Sequence, residues 1–271
     1  WKYHLLLLDH CPYVTWRMKK QLLALDPTLN SIYQFNVQEI SHILKISLKK
    51  AEMIYNHIRT FDLTLLINIY LKQGIHIITI KDPDYPALLK EIYDPPFVLY
   101  AKGDWRLLNS RKLLSVVGTR YPTPYAKQVV PHLLSPLARN EWALVSGLAV
   151  GVDSLVHEEC IKHNGKTIAV LGSGLFHIYP KQNKTLATLI SEKHLLLSEY
   201  PPLTRPQKWH FPSRNRIISG MTLGTLVIEA KERSGSLITA EQALEQGREV
   251  FAVPGPITQV TSVGTNKLVQ L

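Results

Sequence analysis

Acidic residues are scarce in this chain of 271 residues: 21 Asp and Glu stand against 31 Lys and Arg, a formal charge of +10. With a pI near 9.5, the imbalance favours a polyanionic partner. Set against that is a merely basic surface, because net charge speaks to partners and solubility rather than fold. Cysteine is scarcer still. Cys11 and Cys160 stand far apart, with no CxxC and no paired His spacing, which excludes a disulfide framework and speaks against a structural zinc site. Free thiols fit a reducing cytosol, so a cytoplasmic location is expected. Long apolar runs are missing too. The longest near the start, Leu5 to Leu8, is too short for a signal-peptide core or a membrane span. The chain begins at Trp1 rather than Met, so a trimmed start is expected, with room for a targeting segment ahead of it. What remains, 45% hydrophobic and 19% charged residues, is the composition of an ordinary soluble globular protein.

Residues 1–72 read as a small all-α domain. From Val37 to Leu71, apolar residues recur at helical spacing: Ile40, Ile43 and Leu44, then Leu48, Ala51, Ile54, Tyr55 and Ile58. Residues 73–112 read as a linking segment with extra strands joining the sheet, at Ile75–Ile80 and Phe97–Tyr100, separated by the turn Asp82-Pro83-Asp84-Tyr85-Pro86. From 113 to 271 the pattern becomes strand, glycine turn, helix, repeated. The apolar runs are LLSVVG (113–118), WALVSG (142–147), TIAVLG (167–172), HLLLSE (194–199), GTLVIEA (224–230) and EVFAVPG (249–255), with helical stretches such as Val152–His163 and Leu237–Gln246 between them. Strands that are apolar throughout, not alternating, belong in a parallel sheet covered on both faces. The expected fold is α/β: an extended, doubly wound, mostly parallel Rossmann-like sheet. Ligands of such sheets bind in the crevice beyond the carboxyl ends of the strands, where these glycines fall.

Two phosphate-binding signatures fail on inspection. Gly165-Lys166-Thr167 imitates the end of a P-loop, but the glycine required five residues earlier is Cys160, and the tripeptide runs from helix to strand instead of strand to helix. Gly172-Ser173-Gly174 opens like a dinucleotide fingerprint, yet its third glycine position holds His177. Neither NAD nor any other cofactor is expected, and no metal.

Three loops remain at the sheet's ligand edge: Gly118-Thr119-Arg120, the run from Ser146-Gly147 to Gly151, and Gly172-Ser173-Gly174. Glycines let successive amides approach phosphate oxygens, and Arg120 adds a planar fork of donors. Any doubly wound protein has turn glycines, but three such loops with basic residues favour an anionic ligand. Tyr179-Pro180-Lys181-Gln182-Asn183 follows the third loop. Further on, Lys208-Trp209-His210-Phe211-Pro212-Ser213-Arg214-Asn215-Arg216 packs cations around two aromatics. There Trp209 or Phe211 is a candidate for stacking on an unpaired base. The plainer reading buries Phe211 and leaves Arg214 and Arg216 on a solvated helix face, and since 214 and 216 are not helical neighbours, at most one of them faces a groove. Ser234-Gly235-Ser236 opens another strand-turn-helix junction. Glu229, at a strand end, is either a general base or, as is commoner, an anchor for a neighbouring arginine or loop.

Taken in order, GTR (118–120), SGLAVGVDSLVHEEC (146–160), TIAVLGSGLFHIYPKQN (167–183), FPSRNRIISG (211–220), VIEAKERSGSLITAEQALEQGREVFAVPG (227–255) and GTNKL (264–268) closely resemble the DprA/Smf family of DNA-processing proteins. The resemblance implies binding and protection of incoming single-stranded DNA during natural transformation and loading of the RecA recombinase. It further implies a homodimer built through the Rossmann domain. It lays the family's basic groove on Arg120, Lys181, Lys208, Arg214, Asn215 and Arg216, with Phe211 as its aromatic. Two motifs depart mildly from the usual pattern: GSR reads GTR, and SGxAxGID reads SGLAVGVD. The N-terminal domain is expected to be sterile-alpha-motif-like or a degenerate helix-hairpin-helix. In that hairpin Lys45 and Ser47 replace the two glycines, which leaves packing or protein contact, with auxiliary DNA contact from Lys49 and Lys50. Many relatives carry a C-terminal winged-helix-like domain, which is expected to be absent here or removed.

The full set of expected DNA contacts is therefore Gly118, Thr119, Arg120, Ser146, Gly147, Gly172, Ser173, Gly174, Lys181, Asn183, Lys208, Phe211, Arg214, Asn215, Arg216, Ser234, Gly235 and Ser236, with no catalytic residue. The competing reading is an enzyme, a nucleotide phosphoribohydrolase of the related lysine-decarboxylase-like superfamily. Those proteins use a PGGxGT turn and a glutamate where this chain has SGSLITAEQ, with the double glycine lost and Glu241 past the helix start. A third reading is an oligomeric nucleotide sensor.

Overall fold

The computed structural model describes residues 1–270; Leu271, where the third expected segment ends, lies outside them. The chain divides into two compact units, Trp1–Gly74 with Pro96–Val98, and Ile75–Pro95 with Leu99–Leu271.

The first unit is helical: α1 (Lys2–Asp9), α2 (Trp16–Leu25), α3 (Val37–Leu44), α4 (Leu48–Thr60) and α5 (Leu63–Lys72). Side chains cap four of these starts, Thr15, Asn36, Ser47 and Asp62, with a reciprocal capping box between Asn36 and Glu39. Such caps satisfy amides that the helix itself leaves orphaned. Ile40, Leu44, Ala51, Ile54 and Ile58 are buried at the spacing read from the sequence, whereas Leu48, the first residue of α4, is exposed. Between α3 and α4 the chain turns through Lys45 in the left-handed region (φ 53°, ψ 50°), a position that glycine occupies more cheaply.

The second unit carries an eight-stranded sheet in the order β1-β2-β6-β5-β4-β3-β7-β8. Its strands are β1 (Ile75–Thr79), β2 (Val98–Gly103), β3 (Leu113–Val117), β4 (Ala143–Ser146), β5 (Lys166–Val170), β6 (Leu195–Ser198), β7 (Gly224–Val227) and β8 (Glu249–Ala252). From β6 to β8 every pairing is parallel, and β2 joins β6 antiparallel. This is the doubly wound α/β architecture that the apolar runs imply. Helices α6 (Ala87–Lys90), α7 (Pro124–Arg139), α8 (Val152–Lys162), α9 (Lys184–Lys193), α10 (His210–Gly220), α11 (Gly235–Glu245) and α12 (Val263–Val269) complete the unit.

The strand period of two sends alternate residues to opposite faces. Leu113 and Val117 of β3 join a core with Ile217 and Ile218 of α10 and Met221 just past it, and Leu114 and Val116 join another with Val130, Leu134, Val152 and Val156 of α7 and α8. Inner strands thus need apolar residues on both sides. Strand β8, at one edge of the sheet, departs from that: Glu249 and Phe251 are exposed, and its burial alternates. Gly165 ends α8 ahead of β5, with Ala138 where a Cβ would go, so the false P-loop is a packed turn. Both cysteines are free and buried. Among the described residues, no helix is long and apolar enough to cross a membrane, and no cluster of three or more His, Cys, Asp or Glu could hold a metal ion.

Candidate functional site

The parallel strands progress outward from β3 to β6, then return to the other side of β3 with β7 and β8. That reversal opens a crevice beyond the carboxyl ends of β3 and β7, the switch point at which such sheets bind ligands. A cleft of about 630 Å³ lies there, walled by the loop after β3, by the loop after β7 with the start of α11, and by the segment leading into α10.

The β3 loop is tightly held. The Thr119 amide donates to the Glu229 carbonyl at 2.8 Å. The buried Glu229 carboxylate accepts from the Thr123 amide (3.1 Å) and hydroxyl (2.5 Å), and from the Thr261 hydroxyl (3.3 Å). Glu229 is thus an anchor between strand β7 and the start of α7. On the loop's other side, Gly151 sits at φ 87° against the Thr119 carbonyl and the Arg120 backbone, and the Val152 amide donates to the Thr119 carbonyl at 3.1 Å. Both the positive φ and the close approach demand glycine at 151. Arg120 therefore projects into water from a rigid backbone.

Arg214 forms part of the floor. It is 5% exposed, and its guanidinium donates to the Gly147 carbonyl at 2.6 Å, to the Val170 carbonyl, and through Nε to Asn215 Oδ1 at 3.1 Å. Asp153 accepts from the amides of Gly147 (3.1 Å) and Ala149 (3.3 Å). Burial pushes the Asp153 carboxyl upward against the pull of Arg214. Burial, countered mainly by Asp153, brings Arg214 down to about 10, so it stays charged at neutral pH. The first turn of α11 supplies Gly235 and Ser236 to the wall. Amides in a helix's first turn lack intrahelical acceptors and carry the positive end of its dipole.

Of the residues expected at the site, the cleft brings together Gly118, Thr119, Arg120, Lys208, Phe211, Arg214, Asn215, Ser234, Gly235 and Ser236. The others lie elsewhere, for identifiable reasons. Arg216 is buried on the other side of α10, bonded to Glu199 through both terminal nitrogens (2.7 and 2.8 Å) and to Asp94 at 3.0 Å; its place in the groove is corrected to that of an internal clamp. Gly172 and Gly174 are small for internal packing rather than for a phosphate, since the Phe211 ring and the carbonyls of Pro201 and Pro202 fill the space of their missing side chains. The Ser173 hydroxyl donates to the His177 carbonyl at 2.6 Å, and the buried Ser146 hydroxyl to that of Val116 at 2.7 Å. Gly147 lies behind the lining, held by Asp153 and Arg214. Asn183 is buried and donates to the Leu148 carbonyl (2.8 Å) and the Ser154 hydroxyl (2.9 Å). Lys181 is exposed but outside the lining. Trp209 is exposed outside the lining too, whereas Phe211 is half-buried, its ring 5.3 Å from that of Tyr179.

Sequence reasoning passed over Tyr121, Lys231, Ile238 and Thr239, and assigned no role to Tyr179, all of which line the cleft. A signal existed for two of them. Tyr121 directly follows the GTR loop and Lys231 directly follows VIEA, where a residue just past a strand's carboxyl end faces the crevice.

Comparison with known proteins adds a separate line of observation. The family described as DNA recombination-mediator protein A matches residues 76–271. DNA processing protein DprA of Bacillus subtilis is 52% identical over 223 residues, covering 82% of this chain and 75% of that protein. The X-ray structure of DprA from Streptococcus pneumoniae superposes with a TM-score of 0.84 at 38% identity, covering 99% of this chain and 91% of that one. DNA processing protein A from Helicobacter pylori, whose structure is described for its single-stranded DNA binding mode, gives a TM-score of 0.65 at 33% identity over 72% of this chain and 87% of its own.

Proposed function

This chain belongs to the DNA recombination-mediator protein A family of DNA-processing proteins, and from that premise we propose that its switch-point cleft grips single-stranded DNA. One observation carries the reading. Arg120, Lys208 and Lys231 are exposed around the cleft and take part in no ion pair among the described residues, while the lining's one carboxylate, Asp153, is buried and bonded to two amides. The cations are therefore free to meet phosphates. The single-stranded DNA binding mode described for the Helicobacter pylori relative supports the same choice of ligand. Aromatic rings beside the cations suit unpaired bases, which duplex DNA keeps stacked inside.

The wider role in this reading, which the family resemblance supports, is that the protein protects incoming DNA in the cytoplasm, loads RecA onto it, and works as a homodimer joined through its sheet-bearing unit. It acts as a binding protein and not an enzyme. Glu229, the strand-end carboxylate that the sequence offers as a general base, is already committed to Thr123 and Thr261.

The test is titration of a labelled oligothymidine and its duplex counterpart at several salt concentrations. Single strands bind more tightly, and affinity falls with salt at a slope of about −0.7 per phosphate neutralised, or about −2 for three cations. Arg120→Ala weakens binding while melting with the wild type. Equal affinity for both DNA forms, or an unaffected Arg120 variant, refutes the reading. Release of free base from nucleoside monophosphates would instead favour the hydrolase. A RecA filament assay on strands coated with single-strand-binding protein tests loading, and sedimentation tests the dimer.

A further inference from the structure

We infer that Tyr121 is a stacking platform for one base of the bound strand, next to the phosphate seat at Arg120. The inference rests on the single-strand reading of the cleft and extends it to a residue that neither the motifs nor the family resemblance marks.

Tyr121 lines the cleft, yet it is 79% exposed. Its backbone is nevertheless fixed on both sides. Its own amide donates to the Thr119 hydroxyl at 3.2 Å. Thr119 in turn is tied to the Glu229 carbonyl, and Thr123, two residues on, is tied to the Glu229 carboxylate. Pro122 between them has its φ locked by its ring. A residue on a merely loose surface loop would show none of these restraints. The side chain, by contrast, has nothing to hold it: among the described residues its hydroxyl forms no hydrogen bond and its ring meets no other ring.

The other two aromatics of the lining differ. Phe211 is wedged against Gly172, and the Tyr179 ring leans on Phe211 at 5.3 Å and 51°. Those rings are partly covered within the protein, so Tyr121 is the lining aromatic with its faces open. Only two side-chain torsions need to be ordered when a base lands on it, which keeps the entropic cost low. Arg120 beside it alternates a cation with a ring along the chain, matching the alternation of phosphate and base along a strand. Every base offers a π-face, so such a platform tolerates any sequence.

The experiment compares wild type, Tyr121→Leu and Tyr121→Phe on an ordinary oligonucleotide and on a strand of the same length made only of abasic deoxyribose phosphate. Tyr121→Leu, which keeps bulk without a π-face, binds the ordinary strand roughly tenfold or more weakly. Tyr121→Phe restores most of that loss, and all three proteins bind the abasic strand alike. A 5-iododeoxyuridine strand irradiated in complex crosslinks to Tyr121. Wild-type affinity in Tyr121→Leu, or the same loss on the abasic strand, overturns the inference while leaving the cleft reading intact. If Arg120→Ala also binds as wild type, the cleft reading fails and takes this inference with it.

Discussion

Single residues at this site divide into those that touch the cleft and those that hold it in place, and chemical type does not predict which. Arg120, Arg214 and Arg216 are identical side chains within one motif set. Arg120 points into solvent, Arg214 reaches into the floor, and Arg216 is enclosed by Glu199 and Asp94. Both carboxylates raise the affinity of Arg216 for its proton, which outweighs the cost of its burial. Removing one partner of such a buried pair strands the other's charge. Arg216→Ala is therefore expected to cost about 3–5 kcal/mol, read as a lowered midpoint in urea. Binding per folded molecule should survive, because Arg216 is absent from the lining. If the variant is as stable as wild type but binds DNA poorly, Arg216 is a contact residue after all.

At the scale of elements, the sequence read the strands more readily than the helices between them. Helix α7 spans Pro124–Arg139 with Pro131 and Pro136 inside it. Prolines argue against a helix interior on local grounds, and packing of Ala126, Val130 and Leu134 against the sheet offsets them. Its start is the more telling feature. Thr123 caps the helix through the Ala126 amide at 3.4 Å and also donates its hydroxyl to Glu229. Thr123→Ala removes a cap and leaves Glu229 short of a donor, for a loss of about 1–2 kcal/mol. Because the same carboxylate orders the Arg120–Tyr121 loop, DNA affinity should fall along with the melting temperature. A variant that loses stability while binding normally would show that the loop holds its shape without α7. Helix α10, written in the sequence as a cationic-aromatic string, buries Arg214, Arg216, Ile217 and Ile218 together. Its period of 3.6 sets the two arginines on different sides, which is why one motif supplies both a floor and a clamp.

Across the whole molecule, buried histidines tie stability to pH in both units. Burial lowers the pKa of His10 and His57 in the helical unit and of His157, His194 and His210 in the sheet-bearing unit, with His157 at about 3. A folded-state pKa below the unfolded value of 6.5 means that the unfolded chain takes up the proton first. Stability is thus complete above about pH 6.5 and declines as pH falls below it. For His157 the decline reaches about 2 kcal/mol by pH 5, and Asp153, raised by its burial, works in the opposite direction. Urea midpoints measured at pH 7 and pH 5 should fall on acidification, and His157→Gln should reduce that fall. A pH-independent midpoint would show that these rings take up protons as readily in the fold as in the unfolded chain.

The doubly wound sheet is legible from the sequence, because strands buried on both faces must be apolar throughout, and the sequence locates the ligand edge, because the turns after those strands carry the glycines. It also carried the family, through motifs in a fixed order. It did not determine what each glycine or arginine does. Gly151 yields to the Arg120 backbone, Gly172 to the Phe211 ring, and Arg216 turns inward to Glu199, yet all sit in motifs that look alike on paper. Tyr121 and Lys231 join the cleft for the converse reason. Each follows a different strand, β3 and β7, and 110 residues apart in the chain they line one cleft. Only the strand order, which sets β7 beside β3, decides that they meet.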